Sequence, residues 1–358
     1  MKTSFQEIIA LLQLLIQTPS FSREEDKTAT ILQQFLEEKG VRAFREKNNV
    51  WAFNLAFNPQ KVSILLNSHH DTVKPNATYT RNPFEAKIED GKLYGLGSND
   101  AGGSLVALLA TFLHFYDDKH LPFNLIIACT AEEEISGKEG IESILPQLGN
   151  IAFAIVGEPT KMQMAIAEKG LMVLDCYARG KAAHAARDEG DNAIYHAIKD
   201  IEWFRNYDFP KTSETLGKIK MSVTQINAGS QHNIVPDVCH FVVDVRTTDA
   251  YTNEETLMII QSSVRSEVKA RSTRLKPSSI SLEHPIVQAG IRLGRSYYGS
   301  PTLSDQALLN CPSLKLGVGD SARSHTADEF VYVEEIKEGI DLYIRMLEEI
   351  KSYYCVQS

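Results

Sequence analysis

The chain has 358 residues, more than one typical hydrophobic core holds, and this length predicts two domains. Its hydrophobic content of 43% and charged content of 23% are typical of globular proteins. A net charge of −9, with no basic cluster interleaved with aromatic residues, argues against a nucleic-acid partner. No apolar run is long enough to span a bilayer, so no membrane partner is expected.

The cysteines and the N-terminal segment indicate the cellular compartment in which the protein is expected. The five cysteines are scattered and odd in number, which favours free thiols in a reducing compartment over a disulfide framework. The apolar segment 8–16 is followed by no small-residue cleavage site. Ser4 and Glu7 form a capping box instead, which predicts a helix start. We therefore expect a cytoplasmic protein.

The first 169 residues alternate predicted helices and strands. After the first helix, Ser22 and Glu25 offer a second capping box, and the helix that follows should end at Gly40. Strands are predicted at 50–57, 62–67, 123–129 and 152–156, and helices at 105–115 and after Gly137. The second and third strands are mostly apolar, as central strands are. Such alternation predicts an α/β layer.

From about Gly170 the pattern changes. Strands are predicted at 171–178, 219–226 and 240–246, and helices at 192–204 and 253–270. Further helices are predicted at 284–298 and 333–353. We interpret residues 170–280 as a small α+β domain inserted into a catalytic domain made of residues 1–169 and 281–358.

Polar residues that follow the predicted strands are candidates for a functional site. His69 and Asp71 are two residues apart on a strand and share a face, so the Asp71 carboxylate can receive one ring N–H of His69 and orient a metal-bound imidazole. His70 points the other way. The alternative is that His69 and Asp71 are ordinary polar loop residues.

Two further candidates lie at chain turns. Asp100 stands between a glycine-rich turn and a helix start, where it could cap the helix or bridge two cations. Glu132, Glu133 and Glu134 follow the strand 123–129, and adjacent carboxylates there repel one another unless a cation or a proton offsets the charge. The alternative is a solvated acidic turn.

The last two candidates complete a set of donors. Glu158 follows an apolar strand, and Pro159 bars a regular helix across it. His325 lies in a polar loop, where a lone histidine is commonly a surface residue. Together the candidates supply two histidines and at least three carboxylates, which suit a pair of divalent cations such as zinc.

Five segments in the same order resemble the co-catalytic zinc amidohydrolases, a family that includes acetylornithine deacetylase, succinyldiaminopimelate desuccinylase and glutamate-releasing carboxypeptidases. These segments are 68–73, 95–100, 130–134, 157–160 and His325. The resemblance covers essentially the whole chain. It implies an α/β fold whose catalytic domain has a zinc-peptidase-like mixed sheet, with an inserted smaller α+β domain for dimerisation or as a lid.

The resemblance also implies a metal site. It implies two Zn²⁺ per subunit, with Co²⁺ or Mn²⁺ as alternatives, and five ligands: His69, Asp100, Glu134, Glu158 and His325. In it Asp100 bridges the ions, Glu158 completes the site of His69, and Glu134 completes the site of His325. Glu133 would be the general base and Asp71 the carboxylate that orients His69, and the division between Glu133 and Glu134 rests on the resemblance alone.

Three residues of the inserted domain resemble parts of the family's active site. His184 would reach a partner subunit's active site and stabilise the oxyanion, since donors aimed at developing charge are large catalytic contributions. Its alternative is a histidine in a strand-end turn. Arg246 and Asn233 would hold the substrate carboxylate, Arg246 through a bidentate contact. A structural salt bridge is the alternative for Arg246.

The predicted function is that of a cytoplasmic, homodimeric two-zinc deacylase that converts N-acetylornithine to ornithine and acetate in arginine biosynthesis. Alternatives within the family are an N-acetylcitrulline or N-succinylornithine deacylase, a succinyldiaminopimelate desuccinylase and a dipeptidase. Arg179, Arg187 and Arg323 are candidates to meet a succinyl carboxylate. Alternatives from other classes are a non-catalytic amino-acid-binding protein and a metallophosphoesterase.

Overall fold

The computed structural model describes residues 3–355. Its α-helices are α1 (Phe5–Gln17), α2 (Asp26–Glu38), α3 (Gly103–Phe115), α4 (Ile141–Leu148), α5 (Ala193–Asn206), α6 (Asn253–Ser263), α7 (Pro285–Arg292) and α8 (Val333–Cys355). Among these residues no helix combines the length and the apolar character needed to cross a membrane.

The strands fall into several sheets. They are β1 (Ala43–Glu46), β2 (Asn49–Phe53), β3 (Ser63–His69), β4 (Ile88–Glu89), β5 (Lys92–Tyr94), β6 (Asn124–Thr130), β7 (Ile151–Val156), β8 (Met164–Glu168), β9 (Gly170–Arg179), β10 (Ala183–His184), β11 (Lys220–Ala228), β12 (Ile234–Val235), β13 (Val238–Thr247), β14 (Glu267–Ala270), β15 (Ser278–Ser279), β16 (Tyr297–Ser300), β17 (Ser313–Lys315) and β18 (Phe330–Tyr332).

The chain divides into two compact units. The first unit contains the described residues up to Ile166, together with Ser279–Tyr298 and the residues from Ser304 onward. The second unit contains Ala167–Ser278 and Gly299–Leu303. The assignment of metal binding to one unit, and of dimerisation or a lid to the other, stays a prediction.

A mixed sheet organises the first unit. Six of its nine strands, all of them in the first unit, run in the order β1-β2-β6-β3-β7-β17. The strands β6, β3, β7 and β17 are parallel to one another, whereas β2 joins β6, and β1 joins β2, in antiparallel pairs. The predicted α/β class with a mixed sheet is confirmed. The carboxyl ends of the parallel strands meet at one edge, where ligands bind in such sheets.

Both faces of this sheet are buried, which explains the apolar runs in its central strands. Ile64 and Leu66 of β3 pack in a core with α1, α2, α3, α7 and α8, whereas Leu65 packs in a second core with α4. All seven residues of β3 and all seven of β6 are buried. Strands covered on both sides carry continuous apolar sequence rather than alternation.

The helix starts near the N-terminus match the sequence prediction only in part. The predicted capping box of Ser4 and Glu7 is confirmed. The second capping box is wrong, because no side chain caps α2. The hydroxyl of Ser22 instead donates to the Asp71 carboxylate at 2.7 Å, and the Glu25 carboxylate accepts the N–H of Glu132 at 3.2 Å. Both side chains are engaged by the loops at the sheet edge.

The second unit is built on an antiparallel sheet with the order β11-β13-β9-β14. Along β9, buried residues alternate with partly exposed ones, since one face packs against α5 and α6. A separate ribbon pairs His184 of β10 with Ile234 of β12.

Two predicted helices are too long. In the segment 253–270 the helix α6 ends at Ser263, and β14 follows as an edge strand paired with β9. Val268 is buried between exposed Glu267 and Lys269, a two-residue alternation typical of a strand. In the segment 284–298 the helix ends at Arg292, and the left-handed Gly294 (φ 79°) precedes strand β16.

Candidate metal centre

His69 supplies a buried nitrogen without a partner. It ends β3, and its side chain is 1% exposed. Its Nδ1 donates to the carbonyl oxygen of Asp71 at 3.0 Å, and the Asp71 carboxylate lies slightly farther away, at 3.4 Å. Its Nε2 has no hydrogen-bond partner among the described residues. An imidazole held through Nδ1–H presents its Nε2 lone pair to a metal.

The Asp71 carboxylate organises the loop that follows β6. It accepts the N–H groups of Glu133 and Glu134 at 3.0 and 3.2 Å, besides the Ser22 hydroxyl. Burial acts to raise the pKa of Asp71, but the adjacent His69 imidazole outweighs it and holds that pKa below its usual value. The carboxylate therefore stays ionised and fixes both glutamates relative to His69.

Three carboxylates surround the Nε2 atom of His69. The distances from this atom to Asp100 Oδ1, Glu158 Oε1 and Glu133 Oε2 are 3.5, 3.6 and 3.9 Å. Glu158 Oε1 is also buried and without a hydrogen-bond partner. Burial raises the pKa of Glu158 to about 8 and that of Glu133 well above its usual value. Such crowding of buried carboxylates is what a cation offsets.

A second group forms around His325. Its Nε2 lies 3.0 Å from Glu134 Oε2 and 3.6 Å from Asp100 Oδ2. The contact with Glu134 raises the pKa of His325 to about 9. Asp100 therefore directs one oxygen toward His69 and the other toward His325, which is the placement that a carboxylate shared by two cations requires.

The donor set fits divalent cations. Ligand atoms of His69, Asp100 and Glu134 lie within 4.8 Å of one another, as do those of His69, Glu133 and Glu158. All of the donors are imidazole nitrogens or carboxylate oxygens, the ligands of zinc and similar ions. The two buried atoms without partners, His69 Nε2 and Glu158 Oε1, gain a partner if a cation binds between them.

Glu329 supports the Asp100 turn and was not predicted from the sequence. Its buried carboxylate accepts the N–H groups of Gly97, Asn99 and Asp100 at 3.2, 2.8 and 2.9 Å. Burial raises its pKa to about 8. A glutamate in a polar loop gives no local signal for this role, because its partners lie about 230 residues earlier in the chain.

Asp305 is a second buried carboxyl that the sequence did not reveal. It accepts the Thr130 hydroxyl at 2.7 Å and, with the amide of Asn67 turned to satisfy its neighbours, the Asn67 Nδ2 at 3.2 Å. Burial raises its pKa to about 6. Since Asn67 and Thr130 lie on β3 and β6, Asp305 joins the two strand ends that precede the candidate ligands.

Two titratable neighbours lie outside the donor set. Glu132 directs its side chain toward Gly137, where an added Cβ would lie 1.8 Å from its Oε2, so a larger residue at 137 would displace the Glu132 side chain. His70 contacts the Thr28 hydroxyl and the Asn48 carbonyl, each at 2.9 Å. Burial lowers the pKa of His70 to about 4 and keeps it neutral.

The three predicted residues of the second unit have local partners. His184 is exposed, and its Nδ1 accepts the N–H of Ala186 at 3.1 Å. Asn233 is exposed in the turn before β12. The Arg246 guanidinium holds Asp244 in a bidentate pair at 2.8 and 3.1 Å. Their roles toward the substrate stay predictions.

Two of the arginines considered for a succinyl carboxylate are engaged in ion pairs. Arg323 forms a bidentate pair with Glu335 at 2.8 and 2.9 Å. Arg179 lies 3.1 Å from Glu267. Arg187 is exposed. Arg323 therefore has both of its outer nitrogens engaged, whereas Arg179 keeps donors free for a further contact.

Comparison with known proteins identifies one family and relatives with related activities. The sequence profile of peptidase family M20/M25/M40 matches residues 65–349. The acetylornithine deacetylase of Myxococcus xanthus is 26% identical, with 93% of this chain and 90% of that protein aligned. A succinyl-diaminopimelate desuccinylase of Cereibacter sphaeroides is 24% identical, with 95% and 98% aligned.

Solved structures share the fold. The aminopeptidase PepT of Bacillus cereus superposes with a TM-score of 0.76 at 18% identity and covers 97% of this chain and 99% of its own. A dinuclear metal-binding peptidase of the M20 family from Bacillus subtilis superposes with a TM-score of 0.72 at 15% identity, with 96% and 97% covered. At these identities the likeness establishes the fold alone.

Proposed function

The chain belongs to peptidase family M20/M25/M40 and is a hydrolase of amide bonds, and from this premise we propose that it removes an acyl group from the α-nitrogen of an amino acid. N-acetylornithine, cleaved to ornithine and acetate in arginine biosynthesis, is the proposed substrate. The names of the acetylornithine deacetylase and desuccinylase relatives support this substrate class. One observation gives the main support for metal-dependent hydrolysis. The Nε2 atom of buried His69 has no hydrogen-bond partner among the described residues, and it faces three carboxylates.

We propose two divalent cations as cofactors, zinc in the first place and Co²⁺ or Mn²⁺ as alternatives. His69 and Glu158 would hold one ion, Glu134 and His325 the other, and Asp100 both. The dinuclear peptidase of Bacillus subtilis supports the number of ions. When bound, the pair would lower the pKa of a water molecule and polarise the substrate carbonyl.

Glu133 is the proposed general base. Its carboxylate lies 3.9 Å from His69 Nε2, beside the proposed ligands, and its backbone N–H is held by Asp71. It would take a proton from the attacking water and deliver it to the leaving amine. With no cation bound, burial raises the pKa of Glu133 well above the usual value of a glutamate, and the positive charge of bound ions would act to lower it.

The second unit carries the proposed oxyanion donor and a surface suited to a homodimer. Strand β11 is an edge strand whose residues are largely exposed, among them Ile226 at 52%. On α5, Tyr195 and Ile198 are 65% and 45% exposed. An edge strand beside exposed apolar side chains is typical of a surface that associates with another chain.

Mixed dimers test whether His184 acts across the interface. If it does, mixing Glu133→Gln chains with His184→Ala chains raises activity above that of either variant alone. One site of the mixed dimer then combines Glu133 of one chain with His184 of the other. Recovery in proportion to mixed-dimer content supports the proposal. No recovery in dimers shown to have exchanged chains contradicts it.

A substrate panel tests the proposed reaction. The zinc-loaded enzyme is assayed with N-acetyl-L-ornithine, N-acetyl-L-citrulline, N-succinyl-L-ornithine, N-succinyl-L,L-diaminopimelate and an unblocked dipeptide, and kcat/KM is compared. We expect the highest value with N-acetyl-L-ornithine. A higher value with a succinylated substrate or the dipeptide would make the proposed substrate wrong and leave the amide hydrolase intact.

A further inference from the structure

A cleft of about 600 Å³ lies in the first unit, apart from the metal ligands. Its walls come from the segment after β7, the turn after α7, the loop after β17 and one side of α8. Clefts of this volume accommodate small molecules. None of the proposed metal ligands lines it, and of the residues considered for substrate binding only Arg323 does.

The charged side chains of the cleft divide into two classes. Four are cationic and four anionic, and two of each are already paired: Lys161 with Asp320 at 2.7 Å, and Arg323 with Glu335 through two bonds. The others have no ion-pair partner among residues 3–355. They are Arg295, Arg345, Glu338 and Asp341.

Arg295 has a buried donor atom with no hydrogen-bond acceptor in the part of the chain that the structure describes. It is half-buried, and its Nε is shielded from solvent without a hydrogen-bond acceptor among the described residues. A buried donor of a charged group without an acceptor is costly, so an anionic group bound there is favourable. Guanidinium groups match carboxylates in geometry as well as charge. Arg345 adds a second guanidinium from α8.

The two acids without ion-pair partners in the described residues make one part of the cleft negatively charged. Glu338 and Asp341 line the cleft from α8, where they could meet a cationic group. Asp341 and Arg345 have the spacing that favours an ion pair on a helix, yet they form none. Met162, Leu293 and Leu342 supply apolar surface in the same cleft.

We propose that this cleft binds a free aliphatic α-amino acid. Its carboxylate would contact Arg295 and Arg345, its ammonium group Glu338 and Asp341, and its side chain the apolar wall. Glu338, Asp341 and Arg345 are exposed, whereas Arg295 is half-buried. A purely anionic ligand would bring its charge close to the two acids, and a purely cationic ligand would bring its charge close to the two arginines. A zwitterion satisfies both pairs, and this site is independent of the proposed reaction.

The cleft adjoins the segments that carry two proposed metal ligands. Lys161 N–H donates to the Gly319 carbonyl at 2.7 Å, and Met162 N–H to the Gly317 carbonyl at 3.0 Å. Glu158 precedes the first of these segments and His325 follows the second. A ligand in the cleft therefore contacts the segments that hold both side chains.

Titration calorimetry on the metal-loaded full chain tests this proposal with L-leucine as the probe. Two compounds carry half of its charges, 4-methylpentanoate and 3-methylbutylamine, and inorganic phosphate serves as a further anion. We expect L-leucine to bind at least about tenfold more tightly than each of the three, because each lacks one set of charged contacts. Equal binding of 4-methylpentanoate or phosphate, or no binding of L-leucine at millimolar concentration, would overturn the proposal.

Matched variants locate the bound leucine. Arg295→Gln, and Arg345→Gln on the exposed side of α8, should each weaken leucine binding about tenfold. Arg292→Gln is the control, since Arg292 pairs with Glu349 at 2.8 Å and does not line the cleft. Arg246→Ala should leave binding unchanged. Loss of leucine binding in Arg246→Ala, with retention in both cleft variants, would place the ligand elsewhere and contradict the proposal.

Discussion

The candidate residues of the two units are held in different ways. In the first unit the side chains are locked by buried hydrogen bonds, as Asp71 and Glu329 show by each accepting two or more backbone N–H groups. In the second unit His184 and Asn233 are exposed, and Arg246 holds the neighbouring Asp244. A metal centre needs rigid donors, whereas groups that meet a substrate can stay solvated until it binds.

This difference separates the expected kinetic effects. Changes in the first unit should remove the ions or the proton transfer and so lower kcat. Changes in the second unit should leave metal content intact and act on the oxyanion or on substrate affinity. Each variant below is therefore measured for metal content as well as for kcat and KM.

The largest effect is expected for Glu133→Gln. The amide cannot accept the proton of the attacking water, so we expect kcat to fall about 10³-fold while both ions stay bound. Glu132→Gln is the matched control, because its side chain packs against Gly137 instead of joining the donor set. Turnover of Glu133→Gln within tenfold of wild type would remove Glu133 as the base.

His184→Ala should have the next largest effect. Removal of one donor to the developing oxyanion lowers kcat by about 10²-fold, and metal content should not change. His196→Ala in α5 is the control, since His196 pairs with Asp191 within the same unit. If kcat were unchanged, His184 would be an ordinary strand-end residue.

Arg246→Ala should act mainly on KM. Loss of a charged contact to the substrate carboxylate is expected to raise KM about 30-fold, with a smaller change in kcat. Arg271→Ala serves as the control, because Arg271 forms a similar pair with Asp175 in the same unit. An equal, small effect of the two substitutions would leave Arg246 with only its structural salt bridge.

The pH dependence of metal affinity concerns the first unit alone. The neighbouring Glu134 raises the pKa of His325 to about 9 without metal, so at pH 7 a cation must displace a proton. Burial raises the pKa of Glu158 to about 8, so a cation that binds at pH 7 must displace a proton from this carboxyl as well. Affinity for zinc should therefore fall as pH falls from 8 to 6, by about tenfold per unit for each proton displaced. Calorimetry in buffers of different ionisation enthalpy counts the protons, and a pH-independent affinity would contradict this prediction.

The site residues that could be predicted from the sequence are those at or just after the ends of strands. His69, Glu134 and Glu158 follow apolar runs that become parallel strands, so their convergence at one edge follows from local pattern and topology. Asp305 and Glu329 could not be predicted, because each acts through hydrogen bonds to residues well over a hundred positions away. Their local sequence resembles that of any polar loop.

The errors in secondary structure have a similar origin. The edge strand β14 contains four residues, too few for a two-residue alternation to stand out from the helix before it. Ser22 was available for a capping box by sequence, but the buried Asp71 carboxylate takes its hydroxyl. In both cases a tertiary contact outweighs the local preference.

The sharing of two cations by Asp100 is tested most directly by anomalous diffraction from crystals of the zinc-loaded protein, with metal content per chain measured in parallel. We predict two zinc ions per chain, both contacted by the Asp100 carboxylate, one also by His69 and Glu158 and the other by Glu134 and His325. A single ion per chain, or two ions of which one has no contact with Asp100, would contradict this account.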